Sequence, residues 1–236
     1  MKNRTKNMFY IGNILLFICA MICLICYDLY GGLRLKGVTS SWFVALGLFN
    51  LLYAGMKKKI SSFLILMELG LSLGMCADVL LGIQFILGIL FFASGHICYL
   101  LAFCTLEKPC RKDLIITVPL AALSMFIVVG TPFIQIEDLF LKRLLLGYAV
   151  IIACMLGKAI SNWSSKKCMY RLLILLGSTM FWFSDVMLAV DLFGEGNRLT
   201  WRLCSYTYWP AQNILALSLY FFINGYVTKR DKLEQA

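Results

Sequence analysis

"GMCADVLLGIQFILGILFFASGHICYLLAF", Gly74 to Phe103, is almost wholly apolar, yet it holds Asp78 and His96, and that histidine is the only one in the chain. A bilayer core of about 30 Å is crossed by about 20 helical residues. The stretch therefore reads as the end of one membrane span, a short joint near Gly82, and a second span. Its apolar positions run on without alternation, which selects helices over a membrane barrel. An acid and an imidazole at this depth are expensive unless they face the interior of a helix bundle.

The rest of the chain continues the pattern. Hydrophobic residues make up 61% of the 236, and the mean hydropathy is +0.84, far above a soluble domain. The sequence predicts an all-α integral membrane protein, a single transmembrane domain over residues 1–236 with eight transmembrane helices. The spans are about 8–29, 41–55, 60–81, 85–104, 114–130, 140–160, 172–192 and 206–228. The second and fifth are short, which suggests tilted or partly re-entrant segments. The first follows Lys2, Arg4 and Lys6 as a signal peptide would, but its apolar stretch is long and no small-x-small cleavage site closes it.

With a cytosolic N-terminus, only Arg34, Lys36, Lys142, Arg143, Arg198 and Arg202 of the 22 Lys and Arg residues fall outside. This asymmetry predicts that both termini are cytosolic. The +10 net charge is then a topology signal with some attraction for anionic headgroups, and no nucleic acid is implied. Localisation reads as a multi-pass protein of a bacterial plasma membrane. The ten cysteines include Cys23-Leu-Ile-Cys26, with Cys19 on the same face. A redox motif needs a βαβ setting, and buried cysteine behaves as a small apolar residue, so no disulfide framework, metal or cofactor is expected.

Asp78 lies nineteen residues after Lys59, and Asp185 eighteen after Lys167, each in an Asp-Val dipeptide near the outer end of its helix. That echo would suit a parallel 4+4 pseudo-repeat. Gly70, Gly74 and Asp78 lie at i, i+4 and i+8, as do Gly88, Phe92 and His96, and again Gly177, Phe181 and Asp185. A glycine on the face of each ionisable group lets helices approach closely there. Asp78, Asp185, Tyr208 and Gln212 are expected at one depth, with His96 somewhat deeper, lining one internal, partly wet cavity. A purely structural reading has Asp78 paired with His96 or a tyrosine. Glu68 sits near mid-span on a different face, and Asp28 and Asp191 are expected at the interface.

Two apparent motifs dissolve on inspection. Gly70-Leu-Ser-Leu-Gly74 spells the nucleophile elbow, but that elbow needs a strand–turn–helix bend, and these residues lie within an apolar helix. One histidine also cannot supply a three-histidine zinc site.

"CADVLL" followed by "FILGILFFASGHICYLLAF", then "LGSTMFWFSDVMLA", then "YWPAQ" resembles the YhhN-like lysoplasmalogenase family. The matching positions are Asp78; Gly88, Phe92, His96 and Tyr99; Ser184 and Asp185; and Tyr208, Ala211 and Gln212. "LGYAVIIACMLGKAI", around Tyr148 and Met155, resembles the family's sixth helix. Ala77 stands where the family has glycine before the first Asp, and Gly74 where serine is frequent. The resemblance implies hydrolysis of the vinyl ether bond of lysoplasmalogens to a fatty aldehyde and a glycerophospho-alcohol, with a lysophospholipid as the partner drawn from membrane lipids.

Vinyl ethers hydrolyse by protonation at carbon, giving an oxocarbenium ion that water captures. Two carboxyl groups in a low-dielectric cavity suit this, one protonated and the other ionised, as in glycoside hydrolysis. The catalytic candidates are Asp78 and Asp185 as acid/base pair and His96 as tuner or proton relay. Tyr99, Ser184, Tyr208 and Gln212 are the supporting candidates. Two other classes fit the same residues: a small proton- or cation-coupled transporter or channel, and a non-catalytic lipid-binding protein.

Overall fold

The computed structural model describes residues 2–132 and 134–233, with side chains for 4–132 and 134–225. The side chains of Lys2, Lys229, Arg230 and Lys232, assigned above to the cytosolic side, lie outside the described residues. Eight helices follow one another: α1 (Lys2–Tyr30), α2 (Leu33–Met56), α3 (Ser62–Leu80), α4 (Phe85–Leu106), α5 (Arg111–Gly130), α6 (Leu139–Ser165), α7 (Met169–Phe193) and α8 (Arg198–Leu233). No strand occurs among the described residues.

The first seven helices are long and apolar enough to cross a membrane. Helix α8 is long enough at 36 residues, but Tyr208, Gln212, Asn213 and Asn224 lower its apolarity. Those residues face protein. Tyr208, Trp209, Ala211, Gln212, Asn213, Leu215, Ala216 and Leu219 are all buried, where α8 packs on α7, α2, α1 and α3. Helices α1 and α5 take the opposite role. Ile11, Leu15, Ile18 and Ile22 on α1, and Leu114, Ile115, Val118 and Phe126 on α5, point outward as a lipid-facing belt.

Two spans expected to be short are complete. Helix α2 starts at Leu33, eight residues before the expected boundary, and has 24 residues; α5 has 20. Each runs as one unbroken helix. The start of α2 was hidden because Arg34, Lys36 and Gly37 look like a polar loop. Only Gly31 and Gly32 join α1 to α2, at φ of 65° and 91°, a left-handed corner that glycine makes without steric penalty.

Neighbouring helices pair in sequence, with α1 on α2, α2 on α3, α3 on α4, α5 on α6, α6 on α7 and α7 on α8. The long-range pairs α4–α6 and α2–α8 correspond under a shift of four helices. The contacts of α8 with α1 and α3 have no counterpart of similar extent among the described residues, so a full 4+4 repeat is not established.

Candidate active site

Asp78 stands near the C-terminal end of α3 and is 2% exposed. Its Oδ2 accepts hydrogen bonds from Ser40 of α2 (2.5 Å) and Tyr208 of α8 (2.7 Å), while Lys36 Nζ lies 3.8 Å from Oδ1. Trp209 donates its indole N–H to the Ser40 hydroxyl at 3.1 Å. A buried carboxyl group in hydrocarbon needs such partners, and two helices, α2 and α8, supply them. From Asp78 a chain of polar groups leads onward. Gln212 Nε2 lies 3.4 Å from the Tyr208 hydroxyl, and Tyr99 donates to Gln212 Oε1 at 2.6 Å.

Asp185, on α7, gathers a second cluster. Tyr148 of α6 donates to its Oδ2 at 2.5 Å, and His96 Nε2 lies 2.8 Å from the Tyr148 hydroxyl and 3.6 Å from Asp185 Oδ2. Because Tyr148 spends its single proton on the carboxylate, the bond to His96 requires Nε2 to carry a hydrogen. Nδ1 faces the Met155 sulfur at 3.3 Å. Aromatic rings stand between the two clusters. Phe181 packs edge-on against both His96 (4.5 Å between centroids) and Tyr208 (5.2 Å), and Phe92 lies 5.8 Å from Tyr208.

A narrow apolar cavity of about 80 Å³ adjoins the Asp185 cluster, walled by α4, α5, α6 and α7. Asp185 and Tyr148 are its hydrogen-bonding groups together with Ser124 and Trp182, which bond to each other at 2.8 Å. Phe85, Ile89, Ile127, Leu145 and Val186 are among the apolar walls, and the wall residue Leu192, near the end of α7, is 45% exposed. Asp78 does not line this cavity. The side chain of Asp185 is 15% exposed against 3% for Asp78.

Glycines set the helix approaches, as their spacing suggested. A Cβ at Gly74 would lie 2.7 Å from Gln212 Nε2, and one at Gly70 would strike the Tyr99 ring. At Gly177 a Cβ would meet Leu215 at 2.8 Å and the Ala211 carbonyl at 3.1 Å. Gly74 thus makes the room in which the Gln212 amide sits.

The structure brings together most of the expected side chains, in a different grouping. Asp78 joins Tyr208, Gln212 and Tyr99; Asp185 joins His96. His96 lies 3.6 Å from Asp185, and Asp78 is not among the residues lining the cavity beside Asp185. Ser184 is not brought to either cluster, because its hydroxyl donates to the Phe181 carbonyl of its own helix at 2.7 Å. Glu68 is buried beside Gly47, and neither carboxyl oxygen has a hydrogen-bond partner. Asp28 pairs with Arg202 at 3.0 Å, and Asp191 accepts from Thr200 at 2.7 Å. Residues 70–74 are helical, so no elbow forms there. All ten cysteines are free, and among the described residues no three His, Cys, Asp or Glu side chains gather as a metal-holding group.

Ser40 and Lys36 escaped the sequence reading. Their signal was weak: Thr39-Ser40-Ser41 looked like the polar edge of a span, whereas α2 continues through it. Had α2 been started at Leu33, Ser40 would have fallen inside the membrane on a helix face shared with Lys36.

The sequence model of the YhhN family matches residues 13–219, which includes every residue of both clusters. No curated protein and no solved structure matches the chain. With the family model covering most of its length, this helical membrane protein belongs to the YhhN family.

Proposed function

We propose that this protein is a lysoplasmalogenase-like hydrolase that cleaves the vinyl ether bond of a lysophospholipid, and that Asp185 is the acid that meets the substrate. The observation carrying this reading is a hydrogen-bonded carboxyl group at the wall of an apolar cavity between four membrane-spanning helices. A hydrocarbon chain leaving the bilayer would meet Asp185 there without crossing water.

The chemistry follows from the groups at hand. Tyr148 occupies Oδ2, so Oδ1 carries the acidic proton. That proton goes to the vinyl carbon remote from the ether oxygen, and the oxygen lone pair forms an oxocarbenium ion opposite the new carboxylate. Water adds to the cationic carbon and returns a proton to Asp185. The resulting hemiacetal loses the glycerophospho-alcohol and becomes the fatty aldehyde. His96 and Tyr148 hold the carboxylate in place and link it to a proton reservoir. Asp78 acts from behind the aromatic rings, fixing Tyr208 and, through Gln212, Tyr99. The acid/base pair proposed from sequence therefore divides into a reacting and a supporting aspartate.

The test is incubation of purified protein with a lysoplasmalogen and its ester-linked counterpart in heavy water. Aldehyde carrying deuterium at the carbon next to the carbonyl, with little fatty acid from the ester, is the expected result. Aldehyde lacking that deuterium before exchange, or ester cleavage at a similar rate, overturns the mechanism.

The polar chain from Asp78 to Tyr99, with unpartnered Glu68 farther along α3, favours a second reading as a proton-coupled transporter. Ion flux in proteoliposomes without aldehyde release selects it. In either case both termini are proposed to be cytosolic in a bacterial plasma membrane. An impermeant thiol reagent that labels Cys110 in intact cells, in a background lacking the other cysteines, reverses that orientation.

A further inference from the structure

At the opposite end of α3 and α7 from the two aspartates lies a larger cavity, about 1180 Å³. Its charged lining residues are Lys58, Lys59, Lys166 and Arg171, with no acid among them. Arg171 is held in place by Glu107 (2.5 Å) and the Asn162 carbonyl (2.7 Å), while Lys58 and Lys166 are exposed.

Two helices begin in this cavity. Ser61 is the N-cap of α3 and Cys168 that of α7; both are extended, and neither side chain caps its helix. The first N–H groups of each helix thus lack the usual side-chain acceptor, and both positive dipole ends are directed to one space. Helix α5 begins on the same side and differs, since Asp113 and Cys110 close a capping box on it. The Ser61 hydroxyl is shielded from water and has no hydrogen-bond partner, although serine at an N-cap ordinarily accepts from the first turn. The cavity also has an apolar floor. Phe222 of α8 packs between Phe63 of α3 (4.5 Å) and Tyr170 of α7 (5.4 Å).

Lysines at a cytosolic helix end are ordinary by the positive-inside rule. That rule does not explain two uncapped helix starts, an unsatisfied hydroxyl and a cavity beside those lysines. A tetrahedral anion satisfies all of them: its oxygens accept from the helix N–H groups and the Ser61 hydroxyl, and its charge meets the lysines. We infer that this cavity binds a phosphate group at the cytosolic face, carried by an anionic lipid headgroup or by a soluble phosphate ester. The inference stands apart from the catalytic reading, because none of these residues contacts Asp78 or Asp185. It places the ligand on the two helices that carry those aspartates.

The test uses the full chain in nanodiscs. In phosphatidylcholine nanodiscs, glycerol 3-phosphate is titrated and binding followed by the phosphorus NMR linewidth. In parallel, native mass spectrometry counts lipids retained from nanodiscs containing phosphatidic acid. Saturable binding of the soluble ester identifies a soluble source, and retention of phosphatidic acid alone identifies a lipid one; each supports the site. The Lys58→Gln/Lys166→Gln variant is expected to weaken the observed binding about tenfold, the scale of lost charge-assisted contacts. Arg111→Gln/Lys112→Gln removes the same charge outside the cavity and is expected to leave it unchanged. Neither probe binding, or equal loss in both variants, overturns the site. Thermal unfolding of both variants checks that the bundle is intact, and Ser61→Ala, which keeps every charge, is expected to weaken binding as well. Full binding by Ser61→Ala together with full binding by the lysine variant also overturns the site.

Discussion

The Tyr148 hydroxyl donates to Oδ2 of Asp185 at 2.5 Å, across the gap between α6 and α7 and beside the apolar cavity. Because the same hydroxyl accepts from His96, it is the only described bridge between the imidazole and the carboxylate shorter than their direct 3.6 Å separation. Tyr148→Phe removes the bridge while keeping the ring. Aldehyde release is expected to fall about a hundredfold, the usual scale for general acid–base groups, with little change in thermal unfolding. Activity close to the parent protein would take Tyr148 out of the proton route.

The two aspartates should respond differently to amide replacement. Asp185→Asn removes the proposed proton donor and is expected to lower kcat at least about a hundredfold with KM nearly unchanged. Asp78→Asn keeps an oxygen for Ser40 and Tyr208, so it is expected to lose turnover to a smaller degree. His96→Gln should lose less than Asp185→Asn. A larger loss at Asp78 than at Asp185 would reverse the assignment of acid and support.

Gly74 tests the packing of the supporting chain. In Gly74→Ala the new methyl would sit 2.7 Å from Gln212 Nε2, so the amide must move away from Tyr208 and Tyr99. Overpacking of this kind costs about 1–3 kcal/mol. Lower stability and lower activity together are expected, measured by thermal unfolding and aldehyde release. An unchanged unfolding midpoint would mean that the helices relax apart at no expense.

Glu107, just past the end of α4, supplies a pH dependence. Partial burial pushes its carboxyl up, but the hydrogen bonds from Arg171 and Ser165 and the nearby positive charge outweigh burial and hold it below the ordinary 4.5. A carboxyl depressed by folding adds stability that is complete above its unfolded pKa and fades as pH drops through the folded one. The unfolding midpoint in detergent is therefore expected to fall on acidification below about pH 4.5. Glu107→Gln should flatten that part of the profile. An identical acid slope in the variant would assign the effect to another group.

Asp78, His96 and Asp185 were legible because an ionisable side chain stands out against continuous apolar sequence. The glycine spacing was legible for a related reason: close helix approach leaves no room for Cβ, and that demand recurs each turn. The grouping of these side chains was not. Which acid meets the histidine depends on helix rotation and neighbour choice, and α4 packs on α6 rather than on α7 to any comparable extent. Ser40 was missed because a serine next to a threonine and another serine has no contrast with its surroundings. Ser184 shows the converse, since a polar residue beside Asp185 can satisfy itself on its own backbone. Tyr148 emerged only through family resemblance, as one tyrosine among eleven.

The partnership of Asp78 with Tyr208 spans 130 residues, from the third helix to the last. At about 5–20 residues per second, translation delivers the second partner on the order of ten seconds after the first. Ser40, synthesised 38 residues before Asp78, is available to the acid throughout that interval. Ser40 is thus positioned to chaperone the carboxyl group through membrane insertion. The arrival of α8 then adds the Tyr208 hydroxyl as a second donor to a carboxyl group that α2 already holds.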